Sequence, residues 1–191
     1  MISKIPSNFK PESKLVQGEQ IDGVVLSKLE NHNDNRGWFR EIFVSDDNCI
    51  IQPEQWSLVQ SNKNVLRGMH CHARHDEFFT LVSGHCLLAL QDIRPNRSSY
   101  NKFSIYELHE SEPASLSFPK GVIHGWYFLE NSTHIQAVSE SYHSYHKDDN
   151  YGCHWQATDL AFEWQICEPI VATRANNFGT VEELKNKLKL R

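Results

Sequence analysis

The chain has 191 residues, 39% hydrophobic and 23% charged, a balance that excludes a disordered polymer and suits one domain with a well-buried core. Its formal net charge of -5 excludes the broad basic face that nucleic acid requires, while leaving room for a few arginines to hold an anionic ligand. Five cysteines with no Cys-x-x-Cys pair argue against a disulfide framework and for a reducing compartment, and no stretch reaches the roughly 20 apolar residues of a membrane span.

Residues 1–16 are polar, carry two prolines and lack the apolar run of a signal peptide, so the expected location is cytoplasmic. Residues 1–20 read as an N-terminal tail, or as an arm that pairs with a neighbour. From residue 21 to 170 the texture is short runs rich in Val, Ile, Leu, Phe, Tyr and Trp. Turn-forming clusters at 31–37, 83–84, 94–99, 110–113, 119–121 and 130–133 separate them. Many short strands at roughly regular spacing predict an all-β barrel or sandwich. The one clear helix signal comes last: Thr180 can cap, Glu182 and Glu183 fall in the first turn, and lysines follow. The expected division is an arm over 1–20, a barrel over 21–178 and a C-terminal helix or tail over 179–191.

The chemistry concentrates in the 11 histidines. His70 and His72 are two apart, so on a strand both imidazoles face one side, into the barrel, while Cys71 points out. Glu77 and Gly84 follow, and the run 119–124, Pro-Lys-Gly-Val-Ile-His, presents a third imidazole at His124. Three imidazoles and a carboxylate suit a divalent transition metal with positions open to substrate. The same four side chains also suit a metal-free polar pocket, and spacing leaves both readings open. The order His-x-His, four residues, Glu, six residues, Gly, then Pro-x-Gly-x-x-His, resembles the two motifs of the cupin superfamily. Asn64 replaces the glycine that usually opens the first motif, and Phe128 the asparagine that often closes the second. This resemblance implies a jelly-roll β-barrel.

A closer resemblance runs from Asp34 to Pro169. Residues 34–41, Asp-Asn-Arg-Gly-Trp-Phe-Arg-Glu, resemble the Arg-Gly-Phe-Phe-x-Glu of dTDP-4-dehydrorhamnose 3,5-epimerases. In the same order, Val65 to His70 resembles that family's Leu-Arg-Gly-Leu-His, Asp92-Ile93-Arg94 with Ser98 its Asp-Leu-Arg-x-x-Ser, and Pro119 to Gly125 its Pro-x-Gly-x-x-His-Gly. Trp155, Asp159, Leu160 and Trp164 match late positions of the family. The resemblance implies an epimerase or isomerase acting on a nucleotide-linked 4-keto-6-deoxy sugar by proton abstraction beside the ketone. It places His70 as the base and His124 as a second pocket histidine. It assigns Arg36, Glu41 and Arg67 to the nucleotide end, where arginine's planar fork suits a diphosphate. It implies no cofactor, a nucleotide-sugar substrate and a homodimer, to which the arm is a candidate contributor.

The chain departs from the family at several proton-handling positions. The general-acid tyrosine aligns with Gln136 or Ala137, and Gln136 is taken as substrate-binding; Tyr142 and Tyr145 serve only if the register differs. The aspartate that pairs with the base aligns with Ala175 or Asn176. The pocket lysine aligns with Glu77, a reversal of charge, and Cys71 and His72 replace an aromatic residue and Gln. Three expectations follow. The chain is an epimerase or isomerase with different helpers, a metal-dependent cupin holding one divalent transition metal at His70, His72, Glu77 and His124, or a non-catalytic sugar-nucleotide binder. Most of the five tryptophans read as core, with Trp38 and Trp126 beside pocket motifs. Cys71 and Cys86 read as packing residues. His143, His146, Asp148, Asp149 and His154 read as a solvated loop.

Overall fold

The computed structural model describes residues 13–45, 50–146 and 149–189. The β-rich runs become β1 (Lys14–Gly18), β2 (Val25–Lys28), β3 (His32–Asp34), β4 (Gly37–Phe39), β5 (Gln55–Ser61), β6 (Val65–Cys71) and β7 (Glu77–Ser83). They continue as β8 (His85–Asp92), β9 (Phe103–His109), β10 (Ala114–Phe118), β11 (Val122–Phe128), β12 (Ser132–Val138), β13 (Tyr151–Gly152) and β14 (Ile170–Val171). Among the described residues three helices interrupt the later chain: α1 (Tyr142–Tyr145), α2 (Thr173–Asn176) and α3 (Val181–Leu188). None is long and apolar enough to cross a membrane.

Two sheets face each other as a cupin-type jelly roll. One runs β1-β9-β8-β11-β6-β13, with β14 joining β6 in parallel; the other runs β2-β10-β7-β12-β5. A separate hairpin pairs β3 with β4. The described part of the expected arm is therefore not loose: β1 is an edge strand paired with β9 of the same chain. Residues 1–12 lie outside the described residues.

Alternation along the strands sends Leu88 and Leu90 of β8, Trp126 and Phe128 of β11, Phe79 of β7 and Leu116 and Phe118 of β10 into the space between the sheets. Their burial is the main drive for closure, at roughly 1.5–3 kcal/mol per large apolar side chain. The larger sheet has a second core on its outer face. Leu66, Met69, Cys71, Ala89 and Ile123 pack there under Cys153, Phe162, Trp164 and α3. Cys71 does point out of the barrel, as its spacing required, yet it is fully buried. With both faces covered, β11 is buried along almost its whole length, so its sequence shows an apolar run in place of alternation.

Local chemistry explains the ends. Thr180 Oγ1 accepts from Glu183 N, and the Asp159 carboxylate accepts from Val181 N and Glu182 N at 2.9 Å each. Three donors that a helix start leaves unpaired are thus satisfied, and Val181 and Leu184 anchor α3 to the sheet. Gly84 turns β7 into β8 at φ +95°, where an added Cβ would stand 2.3 Å from Ser132 Oγ. Asn64, standing where a glycine was expected, takes φ 66°, a left-handed conformation that asparagine tolerates. Asp92, Arg94 and Ser99 form a buried clamp that ties their loop to Asp22, so that motif is architectural.

Candidate active site

A cavity of about 460 Å³ opens beside β6, lined among others by Arg67, His70, His72, Glu77, Trp126 and Gln136. Arg67 and His70 are three residues apart, a spacing that puts strand side chains on opposite faces. They share the cavity because β6 bulges: against β11, His70 pairs with His124 and Arg67 with Trp126, so two residues of β6 face the single Gly125. The phase shift keeps Leu66 and Met69 on the outer core and turns Arg67, His70 and His72 inward. The bulge demands glycine, since a Cβ on Gly68 would meet Gly125 Cα at 2.6 Å.

His70 is half-buried and packs edge-on against His124 and Phe178, with ring centroids 5.9 and 6.3 Å away. Burial, aided by the neighbouring His124, His72 and Arg174, pushes its pKa down to about 3. At neutral pH it is an uncharged imidazole with a lone pair, the form that accepts a proton. The aspartate expected to pair with it is Ala175, a buried wall of the cavity.

Beneath His70 lies a buried polar floor. His72 Nε2 is 2.9 Å from Glu77 Oε1, His124 Nε2 is 3.3 Å from it and His75 Nε2 is 3.8 Å from it. Burial alone would raise the Glu77 pKa, but His124, His72 and His75 outweigh it and hold the carboxyl well below its usual range. His124 is pushed down to about 4 by burial, with Glu77 opposing. Burial also works against charging His75, yet Asp149 and Glu77 together lift it to about 9. Asp149 Oδ2 lies 3.0 Å from His75 Nδ1, and its carboxylate accepts from the amides of Ala73 and Arg74 at 2.6 and 2.9 Å.

The structure also places the substituted positions. Gln136 faces the cavity and donates from Nε2 to Glu77 Oε2 at 2.9 Å, whereas Ala137 faces the opposite side with Ile51 and Phe78. No proton donor comes from that strand. Tyr145 instead reaches the cavity from α1 and stacks on His75 at 4.6 Å, while Tyr142 is exposed.

Not every expected residue joins the site. Arg67 sits at the cavity edge, donating to Ser61 Oγ at 2.8 Å and to the Gln60 carbonyl at 3.1 Å. Arg36 lies on the β3–β4 hairpin, bonded to Asp34 and otherwise open to solvent. Glu41 lines a different cavity, of about 330 Å³, with Phe43, Phe78, Ser115 and Ser117. The set expected to hold a metal is also altered. The donor atoms that converge within 4.8 Å of one another are those of His72, His75 and Glu77; His70 and His124 are not among them.

Two residues of the floor escape a reading by spacing. His75 follows His72 by three and belongs to the same histidine-rich run, a usable signal. Asp149, read as part of a solvated loop, is fully buried, whereas His143 and His146 of that cluster are exposed and Asp148 lies outside the described residues. A larger groove of about 810 Å³ on the outer face, near Trp155 and Trp164, includes none of these histidines and has no comparable chemistry.

Comparison with known proteins agrees with this architecture. The family described as dTDP-4-dehydrorhamnose 3,5-epimerase matches residues 18–183. The spore coat polysaccharide biosynthesis protein SpsL of Bacillus subtilis is 31% identical over 146 residues, 75% of this chain and 96% of that one. The dTDP-4-dehydrorhamnose 3,5-epimerase of Escherichia coli is 29% identical over 174 residues, 86% of this chain and 93% of that one. Among solved structures, a dTDP-6-deoxy-D-glucose-3,5-epimerase from Legionella pneumophila in complex with dTDP-4-keto-L-rhamnose superposes with a TM-score of 0.79 at 20% identity, covering 93% of this chain and 97% of that one.

Proposed function

The chain belongs to the dTDP-4-dehydrorhamnose 3,5-epimerase family, and from that premise we propose that it epimerises or isomerises a nucleotide-linked 4-keto-6-deoxy sugar. The observation that carries the reading is the placement of a neutral, half-buried His70 and an arginine, Arg67, on one face of the bulged strand. The arginine holds the diphosphate; the imidazole meets the sugar.

The ketone acidifies the neighbouring C–H bonds. His70 removes one such proton, electrons move into an enolate, and a proton returns on the opposite face. Tyr145 is the donor for that return, since it brings a phenol into the cavity where β12 offers Gln136. Gln136 and His124 position the ring through Glu77 and β11. Proton transfer beside a ketone is redox-neutral, so the reaction calls for no redox cofactor.

Arg36 and Glu41 serve the nucleotide end in a homodimer, where the exposed hairpin reaches the pocket of a second copy. Trp38 and Phe39, 58% and 63% exposed on that hairpin, support this assignment. The free thiols Cys71, Cys86, Cys153 and Cys167 fit a reducing, cytoplasmic setting.

The test is solvent exchange. The protein is incubated in deuterated water with a dTDP-linked 4-keto-6-deoxyhexose, and the sugar is examined by mass spectrometry and NMR. Deuterium should enter at a carbon beside the ketone with inversion there. A sugar that binds but gains no deuterium would sink the catalytic reading and leave a binding protein.

A further inference from the structure

His72 and His124 each have one ring nitrogen committed. Nδ1 of His72 meets the Asp149 carbonyl at 2.5 Å, Nδ1 of His75 faces the Asp149 carboxylate at 3.0 Å, and Nδ1 of His124 meets the Val122 carbonyl at 3.1 Å. Carbonyl oxygens only accept, so Nδ1 of His72 and Nδ1 of His124 carry the proton. A neutral ring then offers only a lone pair at Nε2.

All three Nε2 atoms point at one atom, Glu77 Oε1, at 2.9, 3.3 and 3.8 Å. The His72 and His124 lone pairs thus face a carboxylate oxygen in a buried site. Glu77 Oε1 and His124 Nε2 are both buried without a hydrogen-bond partner. Such an arrangement is unfavourable unless positive charge stands among the four atoms.

We propose that His72, His75 and Glu77, whose donor atoms converge, bind one divalent first-row transition-metal ion, with His124 beside them at 3.3 Å from Glu77 Oε1. The spacing suits it. Bonds of ~2.1 Å at tetrahedral angles separate neighbouring donors by roughly 3.4 Å, the scale of the observed gaps. The donor set suits it too: imidazole nitrogens with one carboxylate favour Zn²⁺, Fe²⁺, Co²⁺ or Ni²⁺ over Ca²⁺ or Mg²⁺. Asp149 orients two of the rings from behind, as outer carboxylates and carbonyls do for metal-binding histidines. His72, His75 and Glu77 also line the cavity, so a ligand oxygen has access to the ion. The cation would offset the Glu77 and Asp149 carboxylates, which lessens their repulsion of an anionic oxygen beside His70. The site rests on the cavity's own geometry and stands whether or not the chain turns over a sugar.

The test uses the full chain purified without chelator. Its metal content is measured by elemental mass spectrometry, then the protein is stripped with EDTA and titrated with Zn²⁺ or Co²⁺ alone. We expect about one equivalent of metal, saturable uptake of Co²⁺ with visible d–d absorption, and a raised melting temperature. His72→Ala, His75→Ala and Glu77→Gln should each lose the absorption, and the surface change His143→Ala should keep it. Absence of saturable uptake in the unmodified protein overturns the proposal, as does unchanged uptake in all three ligand variants. Should those variants not fold, the unmodified protein's stoichiometry and spectrum still decide. Neither readout involves turnover, so a failure here and a failure of the epimerase reading are separate results.

Discussion

The cavity floor and the β3–β4 hairpin hold their charges in opposite ways. On the floor, Glu77 and Asp149 are at most 1% exposed and each is tied to several partners from different parts of one chain. On the hairpin, the Arg36 side chain is 85% exposed and bonded only to Asp34, two residues away. An exposed pair is screened by water and readily trades its partner, whereas a buried carboxylate stripped of its partners is left uncompensated. The floor is therefore assembled within one chain, with Glu77 Oε1 and His124 Nε2 left without a hydrogen-bond partner. The hairpin is a charged, aromatic element that the single chain leaves uncompleted, as expected of a part that works on a ligand or on a second copy.

The strongest way to break that contrast is to alter the assembled side. His70→Ala should lower turnover on the order of 10²–10⁴-fold, the usual worth of a positioned general base, with the melting temperature little changed because the ring is only half-buried. Steady-state kinetics with a dTDP-linked 4-keto sugar checks this; unchanged turnover would move the base elsewhere. Tyr145→Phe should cut inversion about 10²-fold while leaving deuterium exchange at the same carbon, because His70 still removes and returns a proton on one face. Equal loss of exchange and inversion would show that Tyr145 is not the separate donor.

How much of this was legible from the residues alone divides along the same line. The His70–His72 alternation, the turn before His124 and the Thr180 cap are local patterns, and the structure follows them. The register of β12 was not: only pairing with β5 and β7 shows that Gln136 and not Ala137 meets the cavity. The bulge at Gly68 was hidden because its cause is the close approach of Gly125 on another strand. Asp149 looked solvated because its partners, His72, His75 and two amides, lie far away in sequence. Long-range closure decides burial, and periodicity carries no information about it. Arg36 and Glu41 matched a motif, yet a motif says nothing about which copy's pocket they reach.

A smaller effect sharpens the hairpin side. Arg36→Ala should raise KM by about 10-fold with kcat nearly unchanged, the loss of one charge-assisted contact to phosphate. If the hairpin serves a neighbour, Arg36→Ala and His70→Ala chains co-expressed should form mixed dimers with one intact pocket. At a limiting substrate level, such a mixture should recover roughly a quarter of normal activity per total dimer, given random pairing of two symmetric subunits. No recovery beyond that of the separate variants would place Arg36 at its own chain's pocket.

The last expected effect is on stability alone and concerns a histidine that belongs to neither region. His134 of β12 is 1% exposed, stacks on Phe128 and Trp126, and leaves Nδ1 without a partner. Burial, with Arg67 adding repulsion, pushes its pKa from 6.5 down to about 4. The unfolded chain therefore binds a proton that the folded chain refuses between these values. The stability carried by the neutral ring is complete above pH 6.5, declines as pH falls toward 4, and changes no further below, with a slope of at most ~1.4 kcal/mol per pH unit for one proton. His70 and His124 shift in the same direction and remain in a His134→Phe variant, which keeps the aromatic stack. The difference between the two stability curves from urea unfolding at a series of pH values should thus be one proton's worth, with the variant the less acid-sensitive. Parallel curves would mean that His134 is protonated in the fold, and that the interior between the sheets accepts a charge that its packing gives no means to balance.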